Sequence, residues 1–289
     1  MESEHLSIHS VKELLSGEKI PALGFGVYRN QGPTVVSACL AALEAGYRHI
    51  DSAQLYGNEM EVAEALSKSG LKREEVFITT KILSKDWNNV AFCVQGSLQR
   101  FSAHDTDGFT FGVPDLLLIH DPRINPEDRL SMWKDVLKAR DDGFVKSVGV
   151  SNFAVRHLEQ IVAAGLELPV VNQIELHPFC QRRDIVEWCT KRCIVVEAYC
   201  PLVRGKYWDN PTLLNLSNKY QRDIGHILVR WSLQKGHIPL PKSSQPHRIK
   251  SNANVYDFHI TIEDMEALDA LDEGDNGAIA GWNPPLNVP

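Results

Sequence analysis

Four residues of chemically reactive types stand at or just after the ends of three successive apolar segments: Asp51, Tyr56, Lys81 and His120. A phenol can donate a proton, and its ordinary pKa is about 10. A cation beside it favours the phenolate and lowers that pKa, so we expect Lys81 to make Tyr56 a better donor near neutral pH. Asp51 would keep the lysine charged and oriented, and His120 would hydrogen-bond a substrate oxygen. This set suits carbonyl reduction, in which hydride addition creates an alkoxide that needs an acid.

Each of these residues also has a purely structural interpretation. An aspartate at a strand end is commonly a helix cap, and an isolated histidine is commonly a satisfied core residue. A tyrosine after a strand is commonly there for packing. The convergence of four reactive types at adjacent strand ends is what favours chemistry.

The elements that must position these residues are short apolar segments alternating with amphipathic ones, a pattern of parallel strands buried on both faces. Strands are predicted at Ala22–Tyr28, Tyr47–Asp51, Val76–Lys81, Asp115–His120, Val145–Ser151, Val170–Glu175, Ile194–Tyr199 and Ile238–Lys242. Helices are predicted at Pro33–Ala45, Asn58–Ser69, Ala91–Phe101, Pro126–Asp142, Ala154–Ala164, Arg182–Arg192, Ile224–Lys235 and Ile262–Leu271. Eight such repeats with short connections predict an α/β fold, a closed (β/α)₈ TIM barrel, rather than an open sheet. Functional groups of such a barrel lie at the C-terminal ends of its strands, so all four side chains would project into one mouth.

The two ends of the chain predict additions to the barrel. The segment before Pro21 contains a turn at Gly17 and predicts an N-terminal hairpin at the barrel bottom. The segment after Gly274, rich in Gly, Pro and Asn, predicts a C-terminal loop or lid. No linker interrupts the chain, and barrels of about 250 residues fold as one unit, so we expect a single domain over 1–289.

The composition argues against several classes of protein. The chain has 289 residues, of which 43% are hydrophobic, and a formal net charge of −7 that gives no attraction to nucleic acid or anionic membranes. No signal-peptide pattern and no membrane-length apolar run occur, so we expect a cytoplasmic protein, monomeric by default. The six cysteines are expected to be free thiols, and no metal-ligand cluster is visible. Gly24 and Gly26 lack the third glycine of a Rossmann fingerprint.

Five segments of the chain resemble the aldo-keto reductase family. They are Asp51–Glu59 (DSAQLYGNE), Ile78–Lys81 (ITTK), Gly149–Phe153 (GVSNF), Asn172–Gln173 (NQ) and Pro241–Ser244 (PKSS). They occur in order and at family-like spacing between about Pro21 and Val255. The resemblance implies an oxidoreductase that transfers a hydride from NADPH to an aldehyde or ketone. Asp51, Tyr56, Lys81 and His120 would then form the catalytic tetrad.

The resemblance also implies how NADPH would lie. Ser151, Asn152 and Gln173 would hydrogen-bond the nicotinamide carboxamide, and Tyr199 would stack on the ring. The remaining implied cofactor contacts are Leu202, Arg204, Lys242, Ser243, Arg248 and Asn252. Lys242, Ser243 and Arg248 would bind the adenosine 2′-phosphate, since a phosphate favours a lysine, a guanidinium fork and a helix N-terminus. Asn252 would contact the adenine, and Arg204 lies near the expected pyrophosphate path.

Some of these residues equally suit a structural role, and some positions depart from the family pattern. Asn152 also suits a helix cap, and Lys242 and Arg248 also suit a solvated surface.

The positions that depart from the family pattern are Cys200, Arg204, Ser251, the long segment Ser102–Pro114, and Asp121 directly after His120. As an αβ connection, Ser102–Pro114 is expected at the bottom of the barrel, away from substrate.

The substrate pocket is predicted from aromatic residues and one acid near the mouth: Tyr28, Trp87, Asp121, Trp208 and Trp282. Aromatic side chains are common in ligand clefts and equally common in cores, and Asp121 also suits a loop cap. Two rival functions stay open. One is an NADPH-binding sensor with little turnover. The other is a non-redox lyase or hydrolase, which the Lys242–Arg248 segment argues against.

Overall fold

The computed structural model describes residues 6–106 and 109–280, which contain an eight-stranded parallel sheet. Its strands are β3 (Phe25–Gly26), β4 (His49–Asp51), β5 (Phe77–Ile82), β6 (Leu116–Ile119), β7 (Ser147–Ser151), β8 (Val171–Glu175), β9 (Val195–Tyr199) and β10 (Ile238–Pro239). Each strand pairs with its neighbours in chain order. The backbone N–H of Gly24 donates to Pro239 O and that of Gly26 to Pro241 O, both at 3.1 Å, which joins the first strand to the last. The predicted (β/α)₈ barrel is confirmed, and the assignment of 1–289 to one domain stays a prediction.

The described part of the chain contains ten α-helices. They are α1 (Pro33–Glu44), α2 (Glu59–Lys68), α3 (Val90–Phe101), α4 (Pro126–Asp141), α5 (Val155–Ala163), α6 (Arg183–Thr190), α7 (Pro211–Tyr220), α8 (Ile224–Gln234), α9 (Pro246–Ala253) and α10 (Ile262–Asp269).

The helix that completes the eighth βα repeat is not the one that the sequence pattern predicts. The predicted Ile262–Leu271 helix exists as α10, but α10 packs on α7 outside the ring. Helix α9 follows β10 and packs against α1 and α8, so it closes the ring. Neither α7 nor α9 was predicted. Only Ile249 of α9 is buried, so its eight residues carry no apolar stripe to mark it as a helix.

An antiparallel hairpin closes the bottom of the barrel, as predicted. Its strands are β1 (Val11–Glu13) and β2 (Lys19–Pro21). Leu14 and Ile20 are buried in one apolar cluster with side chains of β5, β6, β8 and β10. Water is therefore excluded from below, and the mouth above is the side left for ligands.

The described part of the long segment Ser102–Pro114, residues 102–106 and 109–114, lies at the bottom of the barrel, as expected from its place between α3 and β6. Phe111 is fully buried and stacks on Phe101 with 4.3 Å between ring centroids. The Arg73 guanidinium lies over Phe111 and donates to Asp115 Oδ2 at 2.8 Å. Arg73 and Asp115 precede β5 and β6, so these contacts are at the end of the barrel opposite the mouth.

We predict that Phe111→Ala destabilises the protein without changing substrate binding. Removing a fully buried ring from the Phe101 stack costs about 3–5 kcal/mol. Urea unfolding measures this loss, and the Michaelis constants of the folded variant should stay unchanged because the cavity is at the other end. A variant of normal stability, or a selective shift in substrate preference, would contradict this placement.

Candidate active site

A cavity of about 640 Å³ opens at the C-terminal ends of the strands. The predicted site residues that line it are Tyr28, Asp51, Tyr56, His120, Ser151, Asn152, Gln173, Tyr199, Leu202, Arg204 and Lys242. Lys81 lies just behind this lining and is fully buried. The barrel thus brings the four residues predicted to do chemistry together with Tyr28 and most of the predicted cofactor contacts.

The ammonium group of Lys81 is the centre of this site. Its Nζ donates to both carboxylate oxygens of Asp51 at 2.7 Å and to the carbonyl oxygen of Ser52 at 2.9 Å. It also lies 3.3 Å from the hydroxyl oxygen of Tyr56. Both charged side chains are buried, at 0% and 6% exposure, so the ion pair is desolvated. The ammonium group donates to three oxygen acceptors, two of which are the charged carboxylate oxygens. A negative charge formed on the Tyr56 oxygen would meet this cation directly.

Tyr56 is held in place by the residues around it. It ends a short 3₁₀ turn, Gln54–Tyr56, which stops at Gly57 with φ of 66°. Gln54 Nε2 ties the turn to α3 through Cys93 O and Ser97 Oγ, at 2.6 and 2.8 Å. Asn58 Nδ2 donates to Val27 O and to Asn30 O, which fastens the turn to the loop after β3. The hydroxyl therefore has a defined position relative to Lys81.

His120 packs against Tyr56, with 5.7 Å between ring centroids in an edge-to-face arrangement. Its backbone oxygen accepts a hydrogen bond from Asn152 Nδ2 at 3.0 Å. Burial, Lys81 and Arg123 together hold the pKa of His120 well below its usual 6.5, so the imidazole is neutral at physiological pH. A neutral imidazole carries one N–H donor, which is enough to orient a carbonyl oxygen.

The pKa of Tyr56 differs from the sequence-based expectation. Burial, followed by the charge of Asp51, raises the pKa of Tyr56 well above 10. The expected lowering by Lys81 is wrong for this state of the site because removal of water from the hydroxyl group disfavours the phenolate. The phenol is therefore fully protonated at neutral pH, which is the form that a proton donor requires.

A hydrogen-bonded set of amide and hydroxyl groups lies beside the tetrad. Asn152 Oδ1 accepts from Tyr199 OH at 2.8 Å, and Ser151 Oγ donates to Gln173 O at 2.9 Å. Gln173 Nε2 donates to Asp51 Oδ2 at 2.9 Å and to Glu197 Oε2 at 2.8 Å. Both amide hydrogens of Gln173 are thus used within the protein. The group that it can offer to a ligand is the acceptor Oε1, which fits an amide N–H.

Basic residues outnumber acids around the cavity. Among the described residues, its lining contains Arg29, Arg204 and Lys242, together with Arg123, which pairs with Asp121 at 3.0 Å. The one carboxylate in that described lining is Asp51, which pairs with Lys81. Burial, followed by the positive charge of Arg29, lowers the pKa of Lys242. Such a mouth favours a ligand that carries several negative charges.

Three further predicted cofactor residues lie outside the lining, on or before α9. Ser243 Oγ accepts from the N–H of Gln245 at 3.0 Å just before the helix. Arg248 is exposed in the first turn of α9, and Asn252 is half-buried in the last turn. All three therefore belong to the segment that continues from Lys242.

The model of the aldo/keto reductase family matches residues 22–273 of the chain. The chain belongs to the aldo/keto reductase family.

Relatives and solved structures agree with this assignment. An uncharacterized oxidoreductase of Schizosaccharomyces pombe is 38% identical over 280 residues, which cover 95% of this chain and 97% of the relative. Glyoxal reductase of Bacillus subtilis is 34% identical over 281 residues, which cover 96% and 97%. A Bombyx mori aldo-keto reductase in complex with NADP matches with a TM-score of 0.85 at 31% identity, covering 98% of this chain and 100% of that one. A mutant of Gox0644 in complex with NADPH matches with a TM-score of 0.87 at 32% identity, covering 96% and 97%.

Three predicted pocket residues of this aldo/keto reductase do not line the cavity. Trp87 packs against the core cluster around β6 and β7, and Trp208 lies 47% exposed in the loop before α7. Asp121 is buried and accepts from Ser84 Oγ at 2.6 Å and from Arg123 N at 3.0 Å, so it caps its loop. Trp282 lies outside the described residues.

Other cavity residues were missed by sequence reasoning. Arg29 follows Tyr28 at the end of a predicted strand, and the strand-end rule alone would have included it. Leu55 and Arg123 stand beside Tyr56 and just after His120, and both line the cavity. Ala280 also lines it, because Glu175 Oε1 accepts from the backbone N–H groups of Ile279 and Ala280 at 2.6 and 3.0 Å. The part of the predicted C-terminal loop that the structure describes is thereby fixed to the mouth.

The described residues were also compared with the requirements of a membrane-spanning helix and of a metal site. None of the helices in residues 6–106 and 109–280 has the length and apolarity that crossing a bilayer requires. Over the same residues, no group of three or more His, Cys, Asp or Glu side chains is arranged to hold a metal ion.

We predict that Lys81→Met destabilises the protein more than the double change Lys81→Met with Asp51→Asn. Removing the cation leaves the Asp51 carboxylate buried and uncompensated, which costs about 3–5 kcal/mol. Replacing that carboxylate by a neutral amide should restore part of the loss. Urea unfolding of the two variants and of Asp51→Asn completes the cycle. If the loss in free energy of unfolding of the double variant equals the sum of the losses of the two single variants, Lys81 and Asp51 are not coupled.

Proposed function

We propose that this aldo/keto reductase transfers a hydride from NADPH to an aldehyde or ketone carbonyl, with Tyr56 as the proton donor. The observation that carries the proposal is the Lys81 ammonium, bound to Asp51 at 2.7 Å and 3.3 Å from the Tyr56 oxygen. This arrangement supports a phenol that gives up its proton only when a base forms next to it.

NADPH, when bound, would supply a hydride for the carbonyl carbon, and residues of this chain would supply the proton. The carbonyl oxygen would accept hydrogen bonds from Tyr56 and the neutral His120, which fix its direction. As negative charge grows on that oxygen, the Tyr56 hydroxyl donates its proton, and the charge moves to the phenol oxygen. Lys81 stabilises this charge, while Asp51 and Ser52 O hold Nζ in position. The reverse reaction would oxidise an alcohol.

The lining of the cavity supports NADPH as the cofactor. The acceptor Oε1 of Gln173 fits a carboxamide, and Arg29, Arg204 and Lys242 supply positive charge for phosphates. Ser243 and Arg248 continue this basic segment into α9. The Bombyx mori and Gox0644 structures hold NADP and NADPH in the same fold, which agrees with this choice.

A small carbonyl compound with apolar surface fits the outer part of the cavity. Tyr28 and Leu55 line it and are 41% and 54% exposed, so their apolar surfaces face the entrance. Loss of NADPH absorbance on addition of a reactive aromatic aldehyde tests the reaction class. NADPH binding without turnover would instead favour a sensor.

We predict that Tyr56→Phe lowers turnover by at least about 10²-fold, the range of general acid catalysis, because the ring stays and the proton is lost. NADPH binding, measured by quenching of tryptophan fluorescence, should persist. Tyr207→Phe, which removes a hydroxyl outside the cavity, is the matched control. Near-normal turnover of Tyr56→Phe would exclude this residue as the donor.

We predict that Lys242→Ala combined with Arg248→Ala weakens NADPH binding at least about tenfold more than NADH binding. Charge-assisted hydrogen bonds to a phosphate contribute about 1.5–3 kcal/mol each, and NADH lacks that phosphate. Lys250→Ala, on the same helix, controls for the loss of positive charge. If both cofactors weaken equally, these residues do not read the 2′-phosphate.

A further inference from the structure

A second carboxyl group lies inside the barrel, beneath the tetrad. Glu197 of β9 is fully buried, and its Oε2 accepts a hydrogen bond from Gln173 Nε2 at 2.8 Å. The same nitrogen donates to Asp51 Oδ2 at 2.9 Å. One amide group therefore bridges two carboxyl groups. The mechanism proposed above uses Asp51 and leaves Glu197 without a role.

The charges around Glu197 do not balance if its carboxyl group is ionised. The titratable groups that face it among the described residues are His49 and Asp51 from β4 and Lys81 from β5. Lys81 already pairs with Asp51 through both carboxylate oxygens. The neighbouring strands contribute Gln173 and Ile238, which carry no charge. An ionised Glu197 would add an uncompensated charge to a desolvated interior, which is very costly.

His49 does not supply the missing positive charge. Its Nε2 lies 3.6 Å from Glu197 Oε1 and hydrogen-bonds Thr79 Oγ1 at 3.0 Å. Burial, followed by the charge of Lys81, lowers the pKa of His49 to about 3, so the imidazole is neutral. Glu197 Oε1 itself has no hydrogen-bond partner among the described residues. A neutral carboxylic acid tolerates this position far better than a carboxylate does.

We propose that Glu197 is a positioning residue of the active site, a protonated acid that fixes Gln173 and, through it, Asp51, and keeps a second negative charge away from the tetrad. Its link to catalysis rests on the proposed function. Its protonation is independent of the proposed function, since it rests on the burial of Glu197 and on the pairing of Lys81 with Asp51. Because Gln173 donates both amide hydrogens to the two carboxyl groups, its acceptor oxygen is left for the cavity.

Ionisation of Glu197 is expected to slow the reduction of a carbonyl substrate. Burial and then Asp51 raise the pKa of Glu197 from 4.5 to about 8. Above that pH a new negative charge beside Asp51 would oppose formation of the Tyr56 phenolate. Reduction should therefore slow as the pH rises through about 8.

The first test needs neither cofactor nor turnover. The folded pKa is raised, so between about 4.5 and 8 the unfolded chain ionises at Glu197 and the folded chain does not. The contribution of this group to stability is complete at low pH and is lost as the pH rises through that window. Glu197→Gln cannot ionise. We expect its unfolding equilibrium constant, relative to the unaltered protein, to fall by up to about tenfold per pH unit between pH 5 and 8.

Glu175→Gln is the matched control, because Glu175 is also buried, on the adjacent strand β8. Burial raises the pKa of Glu175, but hydrogen bonds with His177 and with the N–H groups of Ile279 and Ala280 outweigh it and hold that pKa below 4.5. This variant should show no relative gain in stability from pH 5 to 8. If the unfolding equilibrium constant of Glu197→Gln, relative to the unaltered protein, does not change with pH, then Glu197 is not protonated in the folded protein.

Two further measurements keep the inference testable if Glu197→Gln does not fold. The infrared spectrum of the unaltered protein should contain a buried carboxylic-acid C=O band that disappears near pH 8. Absence of that band at neutral pH would overturn the inference. In a folded Glu197→Gln variant, turnover should lose the decline near pH 8, while Glu175→Gln retains it. If the stability and infrared results hold and no carbonyl is reduced, the proposed function fails and the protonated acid stands.

Discussion

The buried pair of Lys81 and Asp51 is the interaction on which the rest of the site depends. Two charges without water are stable only if the geometry is close and the remaining donors and acceptors are satisfied. The Ser52 carbonyl, Gln173 Nε2 and the Tyr56 oxygen fill those places. Because Lys81 and Asp51 neutralise each other, any further ionised side chain buried beside them would have no counter-charge. The lowered pKa values of His49 and His120 both follow from burial beside Lys81.

The mouth around this pair contains backbone that ordinary residues rarely adopt. Arg29, Asn152, Cys200 and Arg204 have φ between 50° and 64°, and all four line the cavity. Asparagine tolerates this region, but the other three each carry a cost of order 1–3 kcal/mol. The loops after β3, β7 and β9 therefore turn back sharply at the strand ends. Such turns point side chains into the cavity instead of along the strand direction.

Sequence reasoning was most successful where burial constrains the chain on both sides. Apolar runs such as Leu116–Ile119 predict parallel strands, and reactive residues at their ends then fall into one mouth by topology alone. It failed where a helix has no apolar stripe, and where the contacts of a side chain depend on the path of a loop. Helix α9 buries only Ile249, and no periodicity distinguishes it from a loop. Asp121 and Trp87 have the residue types of a pocket, but their contacts with Ser84 and with the core are set by loop paths that sequence does not reveal.

The pKa of Tyr56 could not be predicted from residue types because it depends first on how completely the fold removes water from the hydroxyl group. Burial raises this pKa, and the charge of Asp51, which accepts from Lys81 through both carboxylate oxygens, raises it further. The consequence favours catalysis. In the resting site, the contact between Lys81 and the Tyr56 oxygen is long, at 3.3 Å, and stabilises little. It strengthens only as charge forms on the phenol oxygen. An interaction that is weak before the reaction and strong during it lowers the barrier without tightening substrate binding, which is the condition for raising turnover.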